Sequence, residues 1–151
     1  MDSATGSAPA AGKLYSREIL SLATELANYP YIDDAAAKAS ARSRSCGSTL
    51  DIALRTNASG EIAAVGMAVT ACAVGQAAAA IFALGAEGKA AGDLDAADAA
   101  LRAWLTRSGE MPDWPGIAFL TAAQEFPGRH DAIRLPWRAA RLALSNPTHA
   151  G

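Results

Sequence analysis

No run of apolar residues approaches the ~20 needed to cross a bilayer as a helix, which argues against a membrane span. A strong excess of charge of one sign is missing as well. The net charge of −2 gives no general attraction to nucleic acid or to an anionic membrane. Aromatic residues make up only 6% of the chain, and the 51% hydrophobic fraction is inflated by alanine. The core is therefore expected to form by close approach of small side chains around a few large anchors. Residues 1–13 have neither a basic start nor an apolar stretch, so they read as a disordered tail and not as a secretory signal. Residues 14–145 read as one domain, long enough for a hydrophobic core, and 146–151 as a flexible tail. Cysteine is scarce, with only two in the chain. No Cys-x-x-Cys is present and the βαβ context is missing, which weighs against a thiol oxidoreductase. Two cysteines without a signal point to a reducing cytoplasm, where thiols stay free for metal or sulfur chemistry.

What is present centres on those two thiols. Cys46 lies in Ser45-Cys46-Gly47-Ser48, where an extended segment is interrupted. Cys72 lies in Thr70-Ala71-Cys72-Ala73-Val74-Gly75-Gln76, where a strand hands over to an alanine-rich helix. A thiol at a helix N-terminus faces unpaired backbone N–H groups and the positive end of the dipole, a setting that favours the thiolate. Leu50 to Thr56 alternates, with Leu50, Ile52 and Leu54 on one face and Asp51 and Arg55 on the other. Ile62 to Thr70 alternates again, and Asn57-Ala58-Ser59-Gly60 supplies the turn. The two cysteines flank the open end of that hairpin, which is expected to bring their sulfurs together.

Around the hairpin the pattern is helical. Leu14 to Asn28 reads as a helix with Ser16 as N-cap, ended by Pro30. Ala35 to Ser45 reads as a first strand. Cys72 to Gly85 reads as a helix of small residues. Leu94 to Leu105 is amphipathic, with Asp93 as a candidate N-cap, and Ser108 to Gly116 is a loop. Ile117 to Gln124 reads as a short helix, Phe126-Pro127-Gly128 as a breaker, and His130 to Ser145 as the last helix. Ile133, Trp137, Leu142 and Leu144 are its core candidates, and Pro136 is expected in its first turns. A small antiparallel sheet of about three strands with four to five helices is an α+β class.

These segments resemble the U-type iron–sulfur cluster assembly scaffolds, the NifU N-terminal, IscU and SufU group. The resemblance is carried by Leu14-Tyr15-Ser16-Arg17-Glu18-Ile19-Leu20, Cys46-Gly47-Ser48, Ala71-Cys72-Ala73-Val74-Gly75-Gln76-Ala77 and Phe126-Pro127-Gly128-Arg129. Leu135-Pro136-Trp137-Arg138-Ala139-Ala140 completes it. The long gap after Cys72 is similar to the SufU branch. The resemblance implies a SufE/NifU-like fold and a site of three cysteines and one aspartate. Such a site holds a transient [2Fe–2S] cluster or a zinc ion and receives sulfur from a cysteine desulfurase. It further implies acceptor apoproteins as partners, and a role outside enzymatic turnover. The family aspartate falls here on Ser48 and the third cysteine on Ala132.

With two of the four family ligands kept, Asp131 and His130 are the nearby candidates to complete the site around Cys46 and Cys72. Ser48 and Arg129 are candidates to hydrogen-bond or pair with a sulfur or cluster. Each has a plainer reading. The cysteines can be buried small residues or a disulfide. His130 can be a surface residue at a helix start, and Asp131 a first-turn carboxylate. Arg129, Arg42 and Arg44 can be solvated charges, or the latter two can steer an acidic partner. Trp104, Trp114 and Trp137 read as core or loop anchors. Two functions follow: an assembly scaffold or sulfur acceptor with a reduced ligand set, or a ligand-depleted regulatory protein of the same fold. The second would bind the desulfurase while retaining no cluster or metal.

Overall fold

The computed structural model describes residues 14–44 and 47–145. The two tails expected at 1–13 and 146–151 lie outside the described residues, as do Ser45 and Cys46. The first helix, α1 (Arg17–Thr24), is capped as its sequence predicts: Ser16 Oγ accepts the Ile19 N–H at 3.2 Å. It tightens into a 3₁₀ turn over Glu25–Asn28 before Pro30. Three antiparallel strands follow in sequential order: β1 (Ala37–Arg42), β2 (Thr49–Thr56) and β3 (Ile62–Thr70). The register pairs Leu50 with Val69, Ile52 with Met67 and Leu54 with Val65 on one face. A bulge between Arg55 and Thr56 then shifts the pairing so that Ile62 also turns into the core.

The free edge of β3 is covered. The Met67 N–H donates to the Tyr29 carbonyl at 2.9 Å, and the Ile62 N–H donates to the Lys89 carbonyl at 2.9 Å. Gly66 lets residues 30–32 cross the sheet closely. A Cβ there would stand 2.8 Å from Ile32 N and closer still to the Pro30 carbonyl oxygen.

Helices α2 (Ala73–Ala86), α3 (Ala91–Leu105) and α4 (Pro127–Ser145) follow, with a 3₁₀ segment at Ile117–Glu125. The alanines of α2 at 77–80 are all buried, as a core of small residues requires. Ala37, Ala39 and Ala41 of β1 stand opposite Leu54, Ile52 and Leu50, and α4 packs over this part of the sheet. The large anchors are Phe82, Trp114 and Trp137, with ring centroids 5.4–5.6 Å apart. The Trp114 indole N–H is satisfied by the Ile81 carbonyl at 2.9 Å. All three tryptophans are buried, as expected of anchors.

Four local expectations need correction. Phe126-Pro127-Gly128 is not a breaker: Pro127 opens α4, because proline at a first helical position gives up only an N–H that would be orphaned anyway. Pro136 therefore lies in the interior of a 19-residue helix, where it cannot donate to the Ala132 carbonyl four residues earlier. Asp93 is not the N-cap of α3. It sits three residues inside and reaches back to accept the Ala90 N–H at 2.9 Å. Leu142 is half exposed and does not serve the core.

Candidate functional site

The open end of the β2–β3 hairpin, where Thr49 pairs with Thr70, lies beside the start of α2. The Ser43 N–H donates to the Ser48 carbonyl at 2.8 Å, closing the β1–β2 connection on itself. Ser48 is buried within this closure, with only 4% of its surface exposed. Cys46, where the sequence places the second thiol, lies outside the described residues.

Cys72 holds the N-cap position of α2 with extended backbone angles, φ −68° and ψ 170°. Sulfur is a weak acceptor, and the thiol makes no capping hydrogen bond. The helix start is instead held by backbone and amide. The Gln76 N–H donates to the Cys72 carbonyl at 2.9 Å, and Gln76 Nε2 donates to the Ala71 carbonyl at 2.9 Å. Cys72 is a free, partly buried thiol at the edge of the core. Gly75, one turn into α2, is where α4 comes close. A Cβ built on it would lie 4.0 Å from Cys72 Sγ, 3.9 Å from Ala132 Cβ and 2.8 Å from Ala71 Cβ. Ala132 is buried and, like the thiol, lies against Gly75.

Asp131, the preceding residue, faces the chain just after β1. Its Oδ2 accepts the Arg44 backbone N–H at 2.9 Å, and its Oδ1 accepts from Arg138 Nη1 at 2.5 Å. Arg44, Asp131, Arg134 and Arg138 line an open basin of about 430 Å³. Arg134 is already committed to Asp98 through two bonds of 2.8 and 2.9 Å, and that hydrogen-bonded partner raises its pKa above the ordinary value. Arg42 is exposed at the end of β1.

His130 turns to another side of α4. Its Nε2 stands 2.8 Å from the Ala123 carbonyl oxygen, an acceptor only, so Nε2 carries the proton and Nδ1 keeps the lone pair. It shares a 360 Å³ depression with Leu105, Thr106 and Pro127, among others. Arg129 donates to the Tyr15 hydroxyl at 3.3 Å, joining the start of α4 to the chain just ahead of α1. Among the described residues no three His, Cys, Asp or Glu side chains cluster as a metal ion would require.

The fold thus brings Cys72, Ala132 and Asp131 to one end of the hairpin, together with the closed connection that holds Ser48. Sequence reasoning missed the roles of Arg44, Arg138 and Gly75. Arg138 follows Asp131 by seven residues, two helical turns, and that spacing was the available signal. The tie from Arg44 spans 87 residues and has no local signal.

No protein-family model matches the sequence, and no curated protein matches it. Solved structures do. The crystal structure of a nitrogen-fixing NifU-like protein (N-terminal) from Brucella abortus superposes with a TM-score of 0.79 at 25% identity, covering 91% of this chain and 96% of that one. The crystal structure of a putative iron–sulfur cluster assembly scaffold protein for the SUF system, from Fervidobacterium islandicum AW-1, has a TM-score of 0.76 at 19% identity. It covers 87% of this chain and 96% of that one. A third, described only as a hypothetical protein, gives 0.62 at 16% identity, with 85% and 97% covered. The α+β architecture expected from the sequence matches these neighbours, and the likeness supports the NifU/IscU/SufU resemblance.

Proposed function

From the likeness to the NifU-like and SUF-system scaffolds, we propose that this chain is an iron–sulfur cluster assembly scaffold or sulfur acceptor with a reduced ligand set. Cys46 and Cys72 are its working thiols. The observation that carries this reading is the position of Cys72: a free, partly buried thiol at the N-cap of α2, beside the open end of the β2–β3 hairpin. A thiol there can accept sulfur from a cysteine desulfurase or bind a soft metal ion. The cargo is a transient [2Fe–2S] cluster or zinc, delivered onward to acceptor apoproteins. The chain acts as a carrier, not as a turnover enzyme, and works in the cytoplasm. No helix among the described residues is long and apolar enough to cross a membrane.

Two thiolates leave a tetrahedral metal two donors short. Asp131 would complete the set only through lone pairs on oxygens that already accept from the Arg44 N–H and the Arg138 guanidinium, and His130 only through Nδ1. A site so short of donors holds its cargo weakly, which suits a donor of clusters. The same engagements favour a second reading, in which the fold binds the desulfurase and retains no metal.

Anaerobic reconstitution with iron, sulfide and a desulfurase separates the two. Absorbance and metal content are read for wild type, Cys46→Ala and Cys72→Ala. The scaffold reading expects iron bound by wild type and lost from both variants. Iron content that stays at background in wild type favours the regulatory reading.

A further inference from the structure

We propose that Asp131 is a positioning residue: it pins the end of β1 to the start of α4, and thereby sets how the chain leaves the sheet toward Cys46. The inference takes from the preceding reading only that Cys46 is a working thiol. Arg44 follows the last residue of β1 by two positions and precedes Cys46 by two in the sequence. Its backbone N–H is held by Asp131 Oδ2 at 2.9 Å across 87 residues of chain. The other oxygen is held by Arg138, two turns further along α4. The two bonds fix the carboxylate at both ends, and the guanidinium offsets the cost of holding its charge partly out of water. The Ser43 N–H to Ser48 carbonyl bond lies within the connection itself. Among the described residues, Asp131 is the group hydrogen-bonded from α4 to Arg44. Arg134 does not compete for this role, since both of its bonds go to Asp98 on α3.

This geometry separates a strut from a ligand. A strut needs an acceptor oxygen toward Arg44, which asparagine also offers. A ligand needs the carboxylate charge, which asparagine lacks. Removing Arg138 weakens a strut but frees a ligand.

The test uses the full-length chain without metal. Iodoacetamide alkylation of Cys46 and Cys72 is followed in one sample by peptide mass spectrometry, alongside hydrogen exchange at the Arg44 amide and thermal unfolding. In Asp131→Ala the rate at Cys46 relative to Cys72 is expected to change by about tenfold, the scale of a lost charge-assisted bond. Arg44 exchange is expected to accelerate. Asp131→Asn keeps an acceptor for the Arg44 N–H but loses the bond from Arg138, so it and Arg138→Gln are both expected to fall between wild type and Asp131→Ala. The proposal is overturned by an unchanged rate ratio in Asp131→Ala, or by Asp131→Asn behaving like alanine. Should the alanine variant not fold, Arg138→Gln decides: faster Arg44 exchange supports the strut and unchanged exchange refutes it. Because no metal or sulfur enters the assay, failure of this proposal and failure of cluster assembly are read separately.

Discussion

Cys72 and Ala132 converge on one point: a methyl group at Gly75 would touch both, at 4.0 Å from the sulfur and 3.9 Å from the alanine Cβ. Two segments that are distant in sequence therefore bring a thiol and a methyl against the same glycine. The resemblance places a third cysteine where that methyl stands.

This convergence gives the first prediction. Ala132→Cys should set a second thiol within reach of the Cys72 site at little cost in packing, since cysteine is only slightly larger than alanine. Zinc affinity, measured by competition with a chromophoric chelator, should rise by at least about tenfold over wild type. An unchanged affinity in a variant of normal stability would mean that position 132 does not reach the Cys72 site.

The covered edge of β3 gives the second. Gly66→Ala would drive a methyl against Ile32 N and the Pro30 carbonyl, both backbone atoms that cannot swing aside. We expect a loss of about 1–3 kcal/mol in urea unfolding, from overpacking and disturbance of the Met67–Tyr29 hydrogen bond. Wild-type stability would show that residues 30–32 do not press on the sheet.

The third concerns alkaline pH. Burial, then the negative charges of Asp51 and Asp33, raise the pKa of Tyr31 above its ordinary value of 10.0. The folded chain holds this proton more tightly than the unfolded chain. Its contribution to stability is therefore complete below about pH 10 and is lost as pH climbs through the folded-state value. Thermal unfolding of wild type should fall more steeply above about pH 10 than that of Tyr31→Phe. Parallel curves would remove Tyr31 as the cause.

Much of this architecture was legible because its signals are local. The alternation of Leu50, Ile52 and Leu54 against Asp51 and Arg55 announces a half-buried strand, and both its faces came out as read. Ser16 caps α1 because a hydroxyl three residues before an N–H needs no tertiary partner. Legibility ended where neighbours decide. Nothing near Arg55 marks the bulge that turns Ile62 inward. Proline at 127 reads equally as a stop or as a first helical residue, and packing of α4 over β1 and β2 selects the second. At the site, the placement of Cys72 follows from the strand-to-helix handover in its own segment. The partners of Asp131 do not follow from sequence, because Arg44 is 87 residues away and uses a backbone group that every residue carries.

The central claim is that Cys46 and Cys72 are sulfur-accepting thiols, and site-resolved persulfide mapping tests it most directly. The chain is charged with a cysteine desulfurase and free cysteine under anaerobic conditions, then alkylated, digested and weighed peptide by peptide. The account predicts a persulfide on Cys46, Cys72 or both, and none in the double alanine variant. If both cysteines stay unmodified while a control acceptor in the same reaction is charged, the account is contradicted.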